Sequence, residues 1–263
     1  GQEGDLGALA GSTMALDHDS WLLLYAAPGL GVVTSNATFV SPLAHVRRAR
    51  ASGDFSSINA APFAAIVANC MGWCAYAFGT RDWFVFWSNA PGVLLGLFFV
   101  SSAMQHTKCS SLLARLERQL LVQTAVTLVG GAVAAIALRD ADRAMSVLGA
   151  VAVFHLLVFY SAPLSDVVNI LKQRDSSSLL WPLIATSAVN GLLWVGYGLA
   201  LSDFFIAGPN AFGVLLAVFQ AALKLRLPSR PARALPRSAS QEPLQVVANE
   251  AANASASSPA WPQ

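Results

Sequence analysis

Asn69, Trp73 and Tyr76 are spaced four and three residues apart in an apolar run, so a helix would put all three on one face. The same types recur at the same spacing as Asn190, Trp194 and Tyr197. Asn89 and Asn210 each follow their tryptophan by 16 residues. An amide inside an apolar span is costly unless it is hydrogen-bonded or faces a wet cavity. Asparagine offers both a donor and an acceptor, and indole offers a broad apolar face. Together they suit a saccharide, which has hydroxyls around its rim and C–H groups on its faces. The competing reading is structural: amides bridge helices, and tryptophans fill cores or mark interfaces. The appearance of the whole set twice favours a binding site.

The duplication extends well past these residues. At an offset of 121, residues 38–100 match 159–221 with 19 identities in 63 ungapped positions. The matches include Pro42 with Pro163, Asp54 with Asp175, Asp82 with Asp203 and Gly92 with Gly213. Chance matching in apolar sequence would favour Leu, Val and Ala over Trp, Asn, Asp and Pro.

Of the 263 residues, 55% are hydrophobic and only 11% charged, against about 25% charge in soluble domains. Lipid is therefore the expected solvent. A spanning helix needs about 20 mostly apolar residues. Seven segments qualify: roughly 21–43, 62–80, 83–104, 119–138, 144–165, 181–201 and 203–223. Spans 1–3 and 5–7 form the two copies, and span 4 matches neither. Three spans per copy would invert the second, and the extra span restores its direction. The fold class is thus an all-α membrane protein of seven helices in a 3+1+3 arrangement, with two parallel three-helix repeats and a site on their shared axis near the midplane. The organisation reads as an N-terminal tail (1–20), a first repeat (21–104), a linker helix (105–140), a second repeat (141–225) and a disordered tail (226–263) rich in Pro, Ala and Ser. The acidic N-terminal tail lacks a basic region and does not read as a cleaved signal peptide.

With the N-terminus outside, 13 Lys/Arg fall on the inner side and 3 on the outer. That bias puts the C-terminus in the cytoplasm. A net charge of +2, with no basic–aromatic run, argues against a nucleic-acid partner. The three cysteines (Cys70, Cys74, Cys109) make neither a disulfide framework nor a metal set. No cofactor or metal is expected, and no triad or carboxylate pair of an enzyme can be assembled. Trp21, Trp83, Trp87 and Trp181 stand near span ends as interface anchors. His155, mid-span, reads first as a packed or hydrogen-bonded residue and second as a proton-linked one. Gly92-x-x-x-Gly96 and Gly213-x-x-x-Ala217 are small packing faces. The sequons at Asn36 and Asn253 fall in a span and on the inner side, and are not read as glycosylated. Pro42, Pro62, Pro163 and Pro182 mark the inner ends of four helices, where a missing N–H would leave bendable points.

Over about 21–225 the chain resembles the SWEET family of sugar transporters. The resemblance is carried by "SPLAHVRR" and "SAPLSDVV" at the ends of spans 1 and 5, "NCMGWCAYAFG" and "NGLLWVGYGLALSDFF" around the two tryptophans, and "SNAPG" and "GPNAFG" in spans 3 and 7. It implies bidirectional, uncoupled sugar transport by alternating access, and a plasma-membrane location. Residue by residue, it implies that Asn89, Asn210, Trp73 and Trp194 bind sugar, and that Thr38, Asn69, Phe159 and Asn190 shape the pocket. Pro42, Pro62, Pro163 and Pro182 resemble the family's proline tetrad. Tyr76, Tyr197, Asp82 and Asp203 resemble its outer gate, although no lysine follows the aspartate to complete an ion pair. Family members often form oligomers, which allows a homo-oligomer here. The large residues at the four framing positions point to a monosaccharide such as glucose. The alternative is the related PQ-loop class of proton-coupled amino-acid transporters. Its Pro-Gln is replaced here by Pro-Leu, and no carboxylate is read within a span.

Overall fold

The structure, a computed structural model, describes residues 21–56, 58–137 and 139–229. The tails read as 1–20 and 226–263 lie outside the described residues, apart from 226–229. The described chain is entirely helical: α1 (Ala27–Val40, preceded by a π turn at Leu22–Ala26), α2 (Leu43–Ser52), α3 (Phe63–Thr80), α4 (Trp83–His106), α5 (Ser110–Ala132, followed by a π turn at Val133–Ala137), α6 (Ala141–Gln173), α7 (Trp181–Ala200) and α8 (Phe204–Arg226). With α1 and α2 taken as one interrupted helix, seven are long and apolar enough to cross a membrane.

The helices overrun the expected spans where charge begins. The first runs to Ser52, the fourth starts at Ser110 and the fifth reaches Gln173. Hydropathy ends a span at its first charged residues, but a helix needs no lipid to continue. These extensions keep an apolar stripe (Val46, Leu116, Val167, Ile170) that packs into the cores beneath.

The duplication is also visible in the backbone. All four described residues with positive φ fall into two pairs separated by 121 residues: Gly53 (73°) with Arg174 (51°), and Arg81 (58°) with Ser202 (56°). Gly53 and Arg174 end α2 and α6 in the left-handed conformation. Asp54 and Asp175, one residue later, each accept from the amide two residues on, at 2.8 and 3.0 Å. The Ser56 amide holds the exposed Asp54 carboxyl below the usual carboxylate range.

The two repeats embrace reciprocally, α1 packing on α7 and α6 on α3. Their apolar cores are arranged unevenly along the axis. One cluster joins both repeats and contains Trp73, Tyr76, Val85, Trp194, Tyr197 and Ile206. Two others stay within one repeat each. The first lies around Val46, Phe63 and Phe99 with Leu116 of α5, and the second around Val167, Ile184 and Leu223. The repeats are thus fused at one end of the bundle, here the tyrosine end, and separate at the other, the proline end. The small-residue faces do pack closely: a Cβ at Gly92 would strike Cys70 and Phe39, and one at Gly96 would strike Val67.

Candidate transport site between the repeats

Between the separated halves lies one cavity of about 440 Å³. Its walls bring together every residue expected to bind or frame a sugar: Thr38, Asn69, Trp73, Asn89, Phe159, Asn190, Trp194 and Asn210. Asn89 and Asn210 turn their amide nitrogens back onto the preceding turn, to Val85 O at 2.9 Å and Ile206 O at 2.8 Å. Asn89 Nδ2 also donates to Ser88 Oγ at 2.8 Å. Among the described residues, no donor reaches either Oδ1. The two carboxamides therefore present matched acceptors from repeat-related positions, suited to hydroxyl donors.

Asn69 and Asn190 are not matched in the same way. Asn190 Oδ1 accepts from Thr34 Oγ1 at 2.7 Å and Ser35 Oγ at 3.1 Å. Asn69 is buried and its Oδ1 has no partner. The tryptophans are both 6% exposed, so little of either ring is open to the cavity. Trp194 lies against Gly31, where a Cβ would come within 2.9 Å of the indole ring.

The tyrosine end is closed by two crossed hydrogen bonds. Tyr76 OH donates to Asp203 Oδ2 at 2.7 Å, and Tyr197 OH donates to Asp82 Oδ2 at 2.8 Å. Each tyrosine reaches the aspartate of the other repeat. Each aspartate also caps its own helix through Oδ1: Asp82 accepts from Val85 N, and Asp203 from Phe205 N and Ile206 N. A carboxylate at a helix start is favoured by the free amides and the dipole there, so the acceptor is fixed before the tyrosine arrives. No lysine is needed for this closure.

The prolines divide into two kinds. Pro42 separates α1 from α2, and Pro163 lies inside α6, so both remove a helix bond. Pro62 caps α3 and Pro182 opens α7, where no helix bond is lost. The expectation of four equivalent bendable points therefore reduces to two. Pro62 and Pro163 line the cavity.

Three features escaped the sequence reading. Phe39 and Tyr160 face the cavity from repeat-related positions. They differ in type, so the repeat register does not single them out. Ser35 and Leu156 are a second such pair. Asp166 also lines the cavity, toward the proline end. It lay one residue beyond the span read as 144–165, and the continuation of α6 brings this carboxylate into the wall.

A sequence family described as "sugar efflux transporter for intercellular exchange" (MtN3) matches residues 28–108 and again 146–232. The chain belongs to the SWEET/MtN3 family. Its relatives include the bidirectional sugar transporter SWEET4 of Oryza sativa subsp. indica, 30% identical over 73% of this chain and 76% of that one. The sugar transporter SWEET1 of Danio rerio is 22% identical over 72% of this chain and 85% of that one. A solved eukaryotic SWEET transporter superposes with a TM-score of 0.69 at 19% identity, covering 78% of this chain and 97% of that one, and shares the fold. The family is one of transporters, not enzymes, and this SWEET is an integral membrane protein.

Proposed function

We propose that this SWEET carries a monosaccharide such as glucose in both directions across the plasma membrane, by alternating access and without ion coupling. The observation that carries the reading is the cavity between the repeats, with paired Asn acceptors and paired Trp in its walls, closed at one end by Tyr–Asp bonds. The basic-residue bias supports assigning the tyrosine end to the outside and the proline end to the cytoplasm. The conformation is then outward-closed. Asn89, Asn210, Trp73 and Trp194 hold the sugar, Tyr76, Tyr197, Asp82 and Asp203 form the outer gate, and the four prolines form the inner one. Volume alone does not select one ring over two, because about 440 Å³ falls within the range of drug-sized pockets. Selection rests on shape: Phe159, Asn69 and Asn190 occupy the frame around the axis. The identity of the relatives supports sugar as the substrate class.

The test is uptake in proteoliposomes. Labelled glucose should equilibrate, and sucrose should compete poorly in the wild type but better in Phe159→Val with Asn190→Ser. Asn89→Ala and Asn210→Ala should each raise half-saturation about tenfold or more, from stranded polar groups costing about 1–3 kcal/mol. Near-wild-type kinetics in both would refute the site. Asp166 makes the proton-coupled PQ-loop reading testable. If that reading were right, an imposed pH gradient would drive uphill accumulation in the wild type that Asp166→Asn abolishes. The uniport reading expects no accumulation in either.

A further inference from the structure

We infer that His155 is a positioning residue for Asn69, pairing with its carboxamide oxygen as Thr34 pairs with that of Asn190. The inference rests on the sugar-site reading above and adds a residue to it.

Subtracting 121 from Asn190 gives Asn69, and adding 121 to Thr34 gives His155. The α1–α7 contact that holds Thr34 against Asn190 Oδ1 has the α3–α6 contact as its mirror. His155 therefore stands in the second repeat where Thr34 stands in the first. Both members of the mirrored pair are buried, and each has an unsatisfied atom: Asn69 Oδ1 and His155 Nδ1. A protonated Nδ1 donates and a carboxamide oxygen accepts, so the two are complementary. A buried polar group without a partner is the exception in a folded protein, and here two such groups occupy positions at which the other repeat makes a bond.

The surroundings accommodate the exchange of Thr for His. The imidazole is larger than the Thr34 side chain, and Gly72 makes room for it: a Cβ there would lie 2.9 Å from His155 Cδ2. Gly72 is on the turn after Asn69 in α3, and the residue at its counterpart is Leu193. The far side of the ring meets span 4. His155 Nε2 lies 2.8 Å from Thr127 Oγ1 on α5. Thr127 Oγ1 also lies 3.1 Å from Gln123 O. When the Thr127 hydroxyl donates to Nε2, the ring proton resides on Nδ1, the tautomer that can donate to Asn69 Oδ1. Span 4, which has no place in the repeat, thereby reaches the cavity wall through Thr127 and His155. Asn69 Oδ1 is then committed as Asn190 Oδ1 is, and each carboxamide offers its Nδ2 to a sugar oxygen.

His155→Thr and His155→Val are nearly isosteric with each other and differ by a hydroxyl that alone can bond Asn69. Labelled-glucose uptake is measured with surface amounts matched, in the wild-type and Asn69→Ala backgrounds. In the wild-type background, half-saturation should stay within about threefold for His155→Thr and rise about tenfold for His155→Val, with maximal rates within about twofold. In the Asn69→Ala background the two variants should coincide. Equal half-saturation for the two variants with Asn69 present, or a difference that persists without Asn69, would overturn the inference. Failure of the site reading looks different: Asn89→Ala would then leave half-saturation unchanged.

Discussion

The two repeats agree where they face each other and diverge where each anchors its own loop. Facing the axis, Asn, Trp, Tyr and Asp recur in type and register. At the proline end the two loops share their left-handed caps and aspartate turns, but the side chains that fasten them to the bundle differ. In the first repeat, the loop before α3 is held by Phe55 stacked on His106 at 5.1 Å between ring centroids, and Arg50 donates to Ser102 at 3.1 Å. In the second, Phe55 is replaced by Ser176, which is fully buried. It donates to Leu227 O at 2.9 Å, and its backbone carbonyl accepts from Lys224 Nζ at 2.9 Å. One loop is fastened by rings and the other by hydrogen bonds to the end of α8. The difference separates two demands on a duplicated chain. The Asn, Trp, Tyr and Asp that face the axis stay alike in both copies, whereas groups that meet only their own copy are free to find different solutions.

The largest expected effect breaks the symmetric part. Each Tyr–Asp bond runs from a phenol to an aspartate oxygen and should contribute about 1–3 kcal/mol to closure. Tyr76→Phe and Tyr197→Phe should slow net uptake to a similar degree, and the double variant should slow it far more. Uptake rates at saturating sugar measure this. Unequal single variants would show that the two crossed bonds do not share the work.

A smaller effect compares the loop anchors. Phe55→Ala removes a half-buried ring, a loss of about 1.5–3 kcal/mol. Lys224→Ala removes two partly exposed hydrogen bonds, to Ser176 O and Ser229 Oγ, a loss of about 1 kcal/mol after solvent takes their place. Thermal unfolding in detergent should show the larger drop in Tm for Phe55→Ala. The reverse order would mean that the second loop depends on its latch more than the first depends on its stack.

The smallest effect concerns the paired left-handed residues. Gly53→Ala puts a side chain at φ 73° and should destabilise by about 1 kcal/mol. Arg174→Gly relieves the same strain at φ 51° and should be neutral to slightly stabilising, since glycine adds unfolded-state entropy. The same melting measurement checks both, and opposite signs are expected.

Much of this was legible in the sequence because it is periodic. Hydropathy located seven spans, and the 121-residue register located the repeat with its Asn, Trp, Tyr and Asp. The positions that frame the cavity came from the family resemblance. What stayed hidden depends on contact between distant elements. The register pairs Tyr76 with Tyr197 and Asp82 with Asp203, but it does not say that each tyrosine crosses to the other repeat's aspartate. It pairs His155 with Thr34, an unlike pair outside the stretch where identities were counted. Asp166 stays hidden because charge ends the apolar run there, although the helix continues to Gln173.

The crossed bonds at the tyrosine end contain no atom of the cargo. Tyrosine meets an aspartate that is already seated on its helix, whether or not the cavity holds anything. On the proposed reading an empty carrier can therefore close as readily as a full one and return for another load. On the proposed reading this protein has no ratchet: flow through it reverses when the concentrations on the two sides are exchanged, and it stops when they are equal.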